Sequence, residues 1–385
     1  MADNYIYRAM SGAIMYASKY FPVLTLTGPR QSGKSTLLRH LFPKSQYVSM
    51  ENPDTRAAAK IDPKGFFASS SDSLIIDEVQ NVPELLSYIQ VIVDENPHRK
   101  FYLTGSSQFS LLKNVTQSLA GRTAIFELLP LSLGELSESI GNQSIDQLLY
   151  DGFYPAVWCG KNIPKLLYPN YIKTYLERDV RDLLAIKDLD LFQRFIRLCA
   201  ARIGSIFNAS ELSNELGVSA NTINSWLSVL QASYIIYMLP PFYTNTRKRL
   251  TKSPKLYFTD CGIASYLLDI DSPSTMSRDK MRGHLFENMV IMNFLKIRYN
   301  SGVNGGIYFF RDSNGNEVDL LVKAGAKYSC YEIKSAATFH VDFVKGLRSF
   351  EKSFPDLVND KAVIYSGINM PAIEGVRILN YKNIL

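Results

Sequence analysis

Cysteine, histidine and long apolar runs are scarce in this sequence, and each scarcity excludes something. The four cysteines, Cys159, Cys199, Cys261 and Cys330, are too scattered for a CxxC metal clip. With no secretory context to oxidise them, reduced thiols are expected. The four histidines, His40, His98, His284 and His340, stand apart and form no HxxxH pattern, so no zinc site is expected. No apolar run approaches the ~20 residues that span a bilayer, and the opening MADNYIYRAM lacks a basic segment ahead of an apolar one. A soluble, cytoplasmic chain with no membrane partner is therefore expected. Internal repeats and low-complexity tracts are also missing. Excess charge is small, since 42 Lys and Arg against 36 Asp and Glu leave +6, enough to favour a polyanion only where it is clustered.

What is present is a globular composition, 46% hydrophobic and 20% charged over 385 residues. That length holds two or three domains with cores of their own. Up to about residue 140, continuously apolar runs alternate with helical stretches: Pro22 to Thr27, Gln46 to Met50, Ser73 to Asp77, Lys100 to Thr104 and Thr123 to Pro130. Unbroken apolar strands are those of a parallel sheet buried on both faces, which predicts an α/β domain. Residues 141–195 read as a helical connector, with Tyr168 to Leu184 its clearest helix. Residues 196–272 give short helices, the Pro240-Pro241 pair, a basic loop and a strand from Lys255 to Thr259. The stretch 261–280 ends in a Ser/Pro-rich segment suited to a linker. The last region, 273–385, combines a helix around HLFENMVIMNFLK with strands at Gly306 to Phe310, Glu317 to Val322, Tyr328 to Ile333 and Ala362 to Tyr365.

Residues 28–35, GPRQSGKS, fit GxxxxGK[ST] between an apolar strand and a helix, the context a P-loop requires. Gly28 and Gly33 permit the tight loop, and the backbone of Gly28, Pro29, Arg30, Gln31, Ser32, Gly33 and Thr36 would cradle phosphates at a helix N-terminus. Lys34 is expected to reach the β and γ phosphates of ATP and Ser35 to ligate Mg²⁺. In SLIIDE, Asp77 and Glu78 stand at the carboxyl end of an apolar strand, where open α/β sheets bind ligands. Asp77 is expected to hold Mg²⁺ through water and Glu78 to act as base toward the attacking water. The alternative is two acids capping the helix that begins near Pro83. Ser106 ends the next strand and is placed to monitor the γ-phosphate, or else is a polar turn. Arg122, just before the last strand of this region, is a candidate finger toward a neighbouring subunit's nucleotide, or a surface ion pair.

P-loop, Asp-Glu strand, polar-tipped strand and arginine before a fifth strand, in that order, resemble the AAA+ ATPases. The chain looks like the prokaryotic group whose C-terminal half is a domain of unknown function. GFYPAV (152–157), YLERDV (175–180) and KSPKLYFTDCGIA (252–264) extend the resemblance over nearly the whole chain. Many AAA+ proteins carry Asn where Ser106 stands. The resemblance implies an AAA+-like parallel-sheet domain over 1–140 and assembly into a homo-oligomer, and carries no biological role.

Two further constellations follow. NASELSNELGVSANTINSWLSVLQASYII (208–236) has the cadence of a helix-turn-helix, with Ser210 and Ser219 as caps, Gly217 at the turn, and Ile223, Leu227 and Leu230 on the apolar face. Asn221, Asn224 and Ser228 would lie on the exposed face. Beyond it, Arg247, Lys248, Arg249, Lys252 and Lys255 crowd a loop resembling the wing of a winged-helix domain over 196–272, able to follow DNA phosphates. Such domains also serve as protein-protein modules, so both partners stay open. In NEVDLLVKAGAKYSCYEIK, a turn centred between Ala324 and Gly325 pairs two strands and sets Asp319 opposite Cys330, on the face of Glu332 and Lys334. Asp-x12-Glu-x-Lys resembles the PD-(D/E)xK nucleases, with Val318-Asp319 in place of Pro-Asp. The resemblance implies Mg²⁺ held by Asp319 and Glu332, with Lys334 activating water and Glu287 as a helical helper. Two functions fit: an ATPase coupled to DNA binding and cleavage, and an ATP-gated regulator or scaffold whose nuclease fold does not cut. A small-molecule kinase is remote, since no acceptor-binding lid is legible.

Overall fold

The computed structural model describes residues 5–106, 115, 117–175, 189–244 and 252–384. Five parallel strands form the N-terminal sheet: β1 (Val23–Thr27), β2 (Gln46–Ser49), β3 (Ser73–Asp77), β4 (Lys100–Gly105) and β5 (Thr123–Glu127), in the order β2-β3-β4-β1-β5. β1 is buried along its whole length, and β3 and β4 are buried in all but their first residue, which is why they read as unbroken apolar runs. Helices pack on both faces. Ile14, Leu37 and Leu38 meet Leu24, Leu26 and Ile75 on one, while Leu86, Ile89 and Val93 meet Leu74, Ile76 and Leu103 on the other. The strand order brings the carboxyl ends of β1, β3 and β4 side by side, the place where an open α/β sheet binds its ligand.

A second core gathers buried side chains from Leu129 to Ile384. Its axis is the helix Arg282–Asn300, whose buried residues, Leu285, Phe286, Met289, Val290, Ile291, Met292 and Leu295 among them, are spread round its circumference, as on a helix covered on all sides. Its buried polar side chains join separate segments. Asn288 accepts from Phe258 N–H at 2.7 Å and donates to Phe258 O at 2.9 Å. Asn293 Oδ1 accepts from Leu133 N–H at 2.8 Å, and Lys296 Nζ donates to Leu131 O at 2.9 Å. The Ser/Pro-rich end of 261–280 is not a linker: Ser272 caps the short helix Pro273–Met276, Pro273 suits its first position, and Met276 is fully buried.

The helices Ala209–Leu216 and Ala220–Ala232 flank Gly217, which is left-handed at φ 68° and so permits the turn. Asn208, not Ser210, caps the first helix. It has the extended backbone a cap requires, and its side chain accepts from Ser210 N–H and Glu211 N–H. Ser219 caps the second as expected. β6 (Ile236–Leu239) and β7 (Lys255–Phe258) then pair antiparallel. The C-terminal sheet has the order β12-β13-β11-β10-β9-β8, built from β8 (Ile307–Arg311), β9 (Glu317–Ala324), β10 (Lys327–Lys334), β11 (Val358–Tyr365), β12 (Met370–Ile373) and β13 (Val376–Asn380). β10-β11 and β11-β13 are parallel and the other pairs antiparallel.

Candidate functional site

The P-loop leaves β1 through Gly28 at φ 140°, where a Cβ would lie 2.2 Å from Leu128 O, so only glycine fits. Gln31 is left-handed at φ 59°, and Gly33, at φ 95°, caps the helix Lys34–Leu41. Lys34 is nearly buried, and its Nζ donates to Gly28 O at 3.0 Å and Pro29 O at 2.8 Å. Ser32 Oγ is buried without a hydrogen-bond partner. Arg8 holds the loop from outside: Nη1 donates to Ser32 O at 2.6 Å, Nη2 to Leu129 O at 2.7 Å and Nε to Glu135 at 2.9 Å.

Asp77, at the end of β3, meets the P-loop directly. Ser35 Oγ donates to Asp77 Oδ1 at 2.6 Å, Tyr47 Oη donates to Oδ2 at 2.7 Å, and Thr104 Oγ1 donates to Oδ1. Burial and the adjoining carboxylate raise the Tyr47 phenol, which keeps it a donor. Glu78 sits in the left-handed region at φ 53°, a costly conformation for a non-glycine residue and one found at functional sites. Its carboxylate accepts from Ser106 Oγ at 3.1 Å and from Gln80 Nε2. The two acids do not cap the helix Leu85–Glu95, whose N-cap is Glu84; Glu78 stands at the start of the 3-10 turn Val79–Asn81 without a side-chain capping bond. A cleft of about 990 Å³ opens in front of these groups. Gln31, Lys34, Ser35, Thr36 and Glu78 line one side, and Pro155, Ala156, Cys159 and Lys161 from the GFYPAV segment and beyond line the other. A hydroxyl and a carboxylate in contact at the P-loop helix are hard oxygen donors of the kind Mg²⁺ takes beside phosphates, so Ser35 and Asp77 fit the ion expected there.

Arg122 is not brought to this site. It precedes β5 at the amino end of the sheet and pairs with Asp94 at 2.6 and 2.7 Å. Sequence reasoning missed Arg8, Tyr47, Thr104 and Gln80. Thr104 sits two residues before Ser106 on a strand already marked as polar-tipped. Tyr47 becomes a partner of Asp77 only because β2 lies beside β3. Tyr234, left-handed at φ 57° after the second helix of the helix-turn-helix, hydrogen-bonds Thr27 Oγ1 at 2.8 Å, one residue before the P-loop. Burial raises the neighbouring Glu127 carboxyl, against the opposing effect of its own hydrogen bond with Tyr234.

In the C-terminal sheet Leu321 pairs with Cys330 and Leu320 with Tyr331, so the turn is centred between Gly325 and Ala326, two residues of pairing away from the expected register. An even shift keeps every side chain on its face, so Asp319, Glu332 and Lys334 still converge. Asp319 Oδ2 accepts from Ile333 N–H at 2.8 Å, and Lys334 Nζ lies 3.5 Å from Asp319 and 2.5 Å from Glu332. Glu287 joins them from the helix Arg282–Asn300, accepting from Tyr257 Oη at 2.5 Å. Burial and the Asp319 carboxylate push Glu332 up to about 8 and Glu287 up to about 7.

The expected Mg²⁺ ligands Asp319, Glu332 and Glu287 stand beside ammonium groups, Lys334 against Asp319 and Glu332 and Lys255 against Glu287. Among the described residues no group of three or more His, Cys, Asp or Glu side chains is arranged to hold a metal ion. Lys255, expected on a DNA-facing wing, is buried instead. Its side chain is 5% exposed, and its Nζ bonds Glu317 and lies 3.6 Å from Glu287. Asn221, Asn224 and Lys252 are exposed as expected, while Arg247, Lys248 and Arg249 lie outside the described residues, as does all of YLERDV but Tyr175. Cys199, Cys261 and Cys330 are buried, and burial raises their thiols. Among the described residues no helix is long and apolar enough to cross a membrane.

Three family models match in succession: an AAA domain over residues 20–137, a domain of unknown function (DUF8612) over 142–274 and a domain of unknown function (DUF4143) over 282–384. The Walker-type ATPase PABY2304 of Pyrococcus abyssi is similar at 16% identity and a TM-score of 0.46, over 69% of this chain and 97% of its own. Uncharacterized protein MJ1544 of Methanocaldococcus jannaschii is 24% identical over 326 residues, 77% of this chain and 69% of that protein. Uncharacterized protein Rv2008c of Mycobacterium tuberculosis is 30% identical over 353 residues, 90% of this chain and 77% of its own. With its AAA domain ahead of two domains of unknown function, the chain belongs to the same family as that mycobacterial protein.

Proposed function

We propose that the chain binds ATP with Mg²⁺ and hydrolyses it, and that the nucleotide controls a DNA-contacting helix-turn-helix. The observation that carries the first part is the contact of P-loop and β3: Ser35 and Asp77 share a hydrogen bond, and Glu78 stands beside them in a strained backbone conformation. Lys34 exchanges the loop carbonyls for β and γ phosphate oxygens, while the backbone from Gly28 to Thr36 encloses the phosphates. Ser35 and, through water, Asp77 would hold Mg²⁺, which would supply charge neutralisation at the phosphates. Glu78 takes the proton of the attacking water, with Ser106 and Gln80 fixing the carboxylate that must do so. Lys34→Ala is expected to abolish binding of a fluorescent ATP analogue. Glu78→Gln is expected to keep binding and lose turnover by ~10²- to 10⁴-fold, and normal phosphate release from it would remove the base assignment.

The hydrogen bond between Tyr234 and Thr27 supports coupling, because it joins the end of the helix-turn-helix to the residue before the P-loop. Asn221, Asn224 and Lys252 offer polar and basic groups to DNA, together with Arg247, Lys248 and Arg249. Salt-dependent binding in a gel-shift series tests it. An affinity insensitive to salt favours a protein partner instead. For the C-terminal domain we favour the reading without DNA cleavage, because ammonium groups fill the carboxylate cluster.

A further inference from the structure

The hairpin that follows the helix-turn-helix is built into the C-terminal domain. Pro241 bridges to Phe309 in parallel, with Phe242 N–H donating to Phe309 O at 2.6 Å and Phe309 N–H donating to Pro240 O at 3.1 Å, so the segment after β6 extends the edge of the sheet at β8. Lys255 and Tyr257 are two residues apart on β7 and therefore share a face. That face is turned onto the C-terminal domain: Lys255 bonds Glu317 and approaches Glu287, Tyr257 donates to Glu287, and the Lys255 ammonium stands 5.3 Å from the centre of the Phe309 ring.

We infer that the carboxylate cluster is an ionic lock whose resident cation is Lys255, fastening the β6-β7 hairpin to the C-terminal sheet in the place a divalent ion would need. The inference rests on the non-cutting reading of this domain and adds what the cluster does instead. Four acids meet here, and each is engaged. Lys334 takes Asp319 and Glu332, Lys255 takes Glu287 and Glu317, and Ile333 N–H and Tyr257 O–H occupy further lone pairs. A divalent ion would have to take those oxygens from the two ammonium groups that hold them; of the Glu332 carboxylate only Oε2 is left without a partner. Lys255 comes from a separate unit, 62 residues before Glu317, so the pair joins segments that local contacts do not. Loss of the ammonium leaves Glu287 and Glu317 in a half-buried pocket without counter-charge, whereas loss of charge on both sides leaves nothing uncompensated.

The experiment is a double-mutant cycle on the full chain, Lys255→Met, Glu317→Gln and both, read as the midpoint of thermal unfolding alongside a Mn²⁺ titration of the wild type and Asp319→Asn. Lys255→Met is expected to lower the midpoint clearly, Glu317→Gln to lower it less, and the double variant to lose less than the sum of the two. Additive losses overturn the lock. The Mn²⁺ arm needs no substitution at Lys255, so it decides even where Lys255→Met does not fold. Wild type and Asp319→Asn are expected to show the same small response of their midpoints across the titration. An Asp319-dependent rise in the wild type overturns the inference, because the ion would then enter with Lys255 in place. Mn²⁺-dependent DNA cleavage lost in Asp319→Asn sinks the non-cutting reading itself, whereas additivity without cleavage sinks the lock alone.

Discussion

Replacing Arg8 with methionine should separate the contribution of the P-loop's outside support from that of the loop itself. The guanidinium is 4% exposed and makes three bonds, to Ser32 O, Leu129 O and Glu135. Methionine keeps much of the volume and makes none of them. Glu135 retains Ala9 N–H at 2.8 Å and Ser132 N–H at 2.7 Å, so it is not stripped of partners but loses its counter-charge. Breaking a buried pair in this way costs about 3–5 kcal/mol. In a cooperative unit of 150–250 residues, about 3 kcal/mol lowers Tm by roughly 6–12 °C. Adding Glu135→Gln removes the uncompensated charge and should recover part of the loss. Differential scanning calorimetry measures both, and a parallel titration with a non-hydrolysable ATP analogue should show weaker binding, since the Ser32 carbonyl is no longer pinned. An Arg8→Met protein that melts with the wild type would refute the reasoning.

Four other outcomes are expected. Gly28→Ala should abolish analogue binding, because its Cβ would lie 2.2 Å from Leu128 O and the loop must move; retained affinity would show that the loop tolerates the shift. Tyr234→Phe should leave ATP and DNA binding intact when each is measured alone and weaken the effect of one on the other, and unchanged linkage would dismiss the Thr27 contact as a route. Burial and the Asp319 carboxylate make Glu332 and Glu287 bind protons more tightly in the folded state than in the unfolded chain at ordinary carboxyl values, so stability should fall as pH rises from about 5 to about 8. Glu332→Gln should flatten that fall in a pH series of Tm values. Arg122→Ala should lower ATP turnover without lowering Tm and be rescued in mixtures with Lys34→Ala subunits, which keep the arginine. Unchanged kcat would leave Arg122 as the partner of Asp94 alone.

The sequence determined by itself what depends on neighbours along the chain. Continuous burial wrote β1, β3 and β4 as apolar runs, the glycines of GPRQSGKS marked a loop that side chains would block, and Asp77-Glu78 stood at a strand end. Period-two alternation was enough to place Asp319 with Glu332 and Lys334 even though the turn was misplaced, because an even slip preserves the face. What only the tertiary structure decided depends on groups distant in sequence. Arg8 meets Ser32 and Glu135 because the N-terminal segment crosses the P-loop, and Tyr47 reaches Asp77 through strand order. Lys255 shows the contrast most sharply. In the sequence it closes a run of cations that reads as a solvated wing, yet the fold buries it among carboxylates 32 and 62 residues away. A charge run carries no information about which member finds a buried partner, since burying a charge depends on counter-charges that only the packed domains bring within reach.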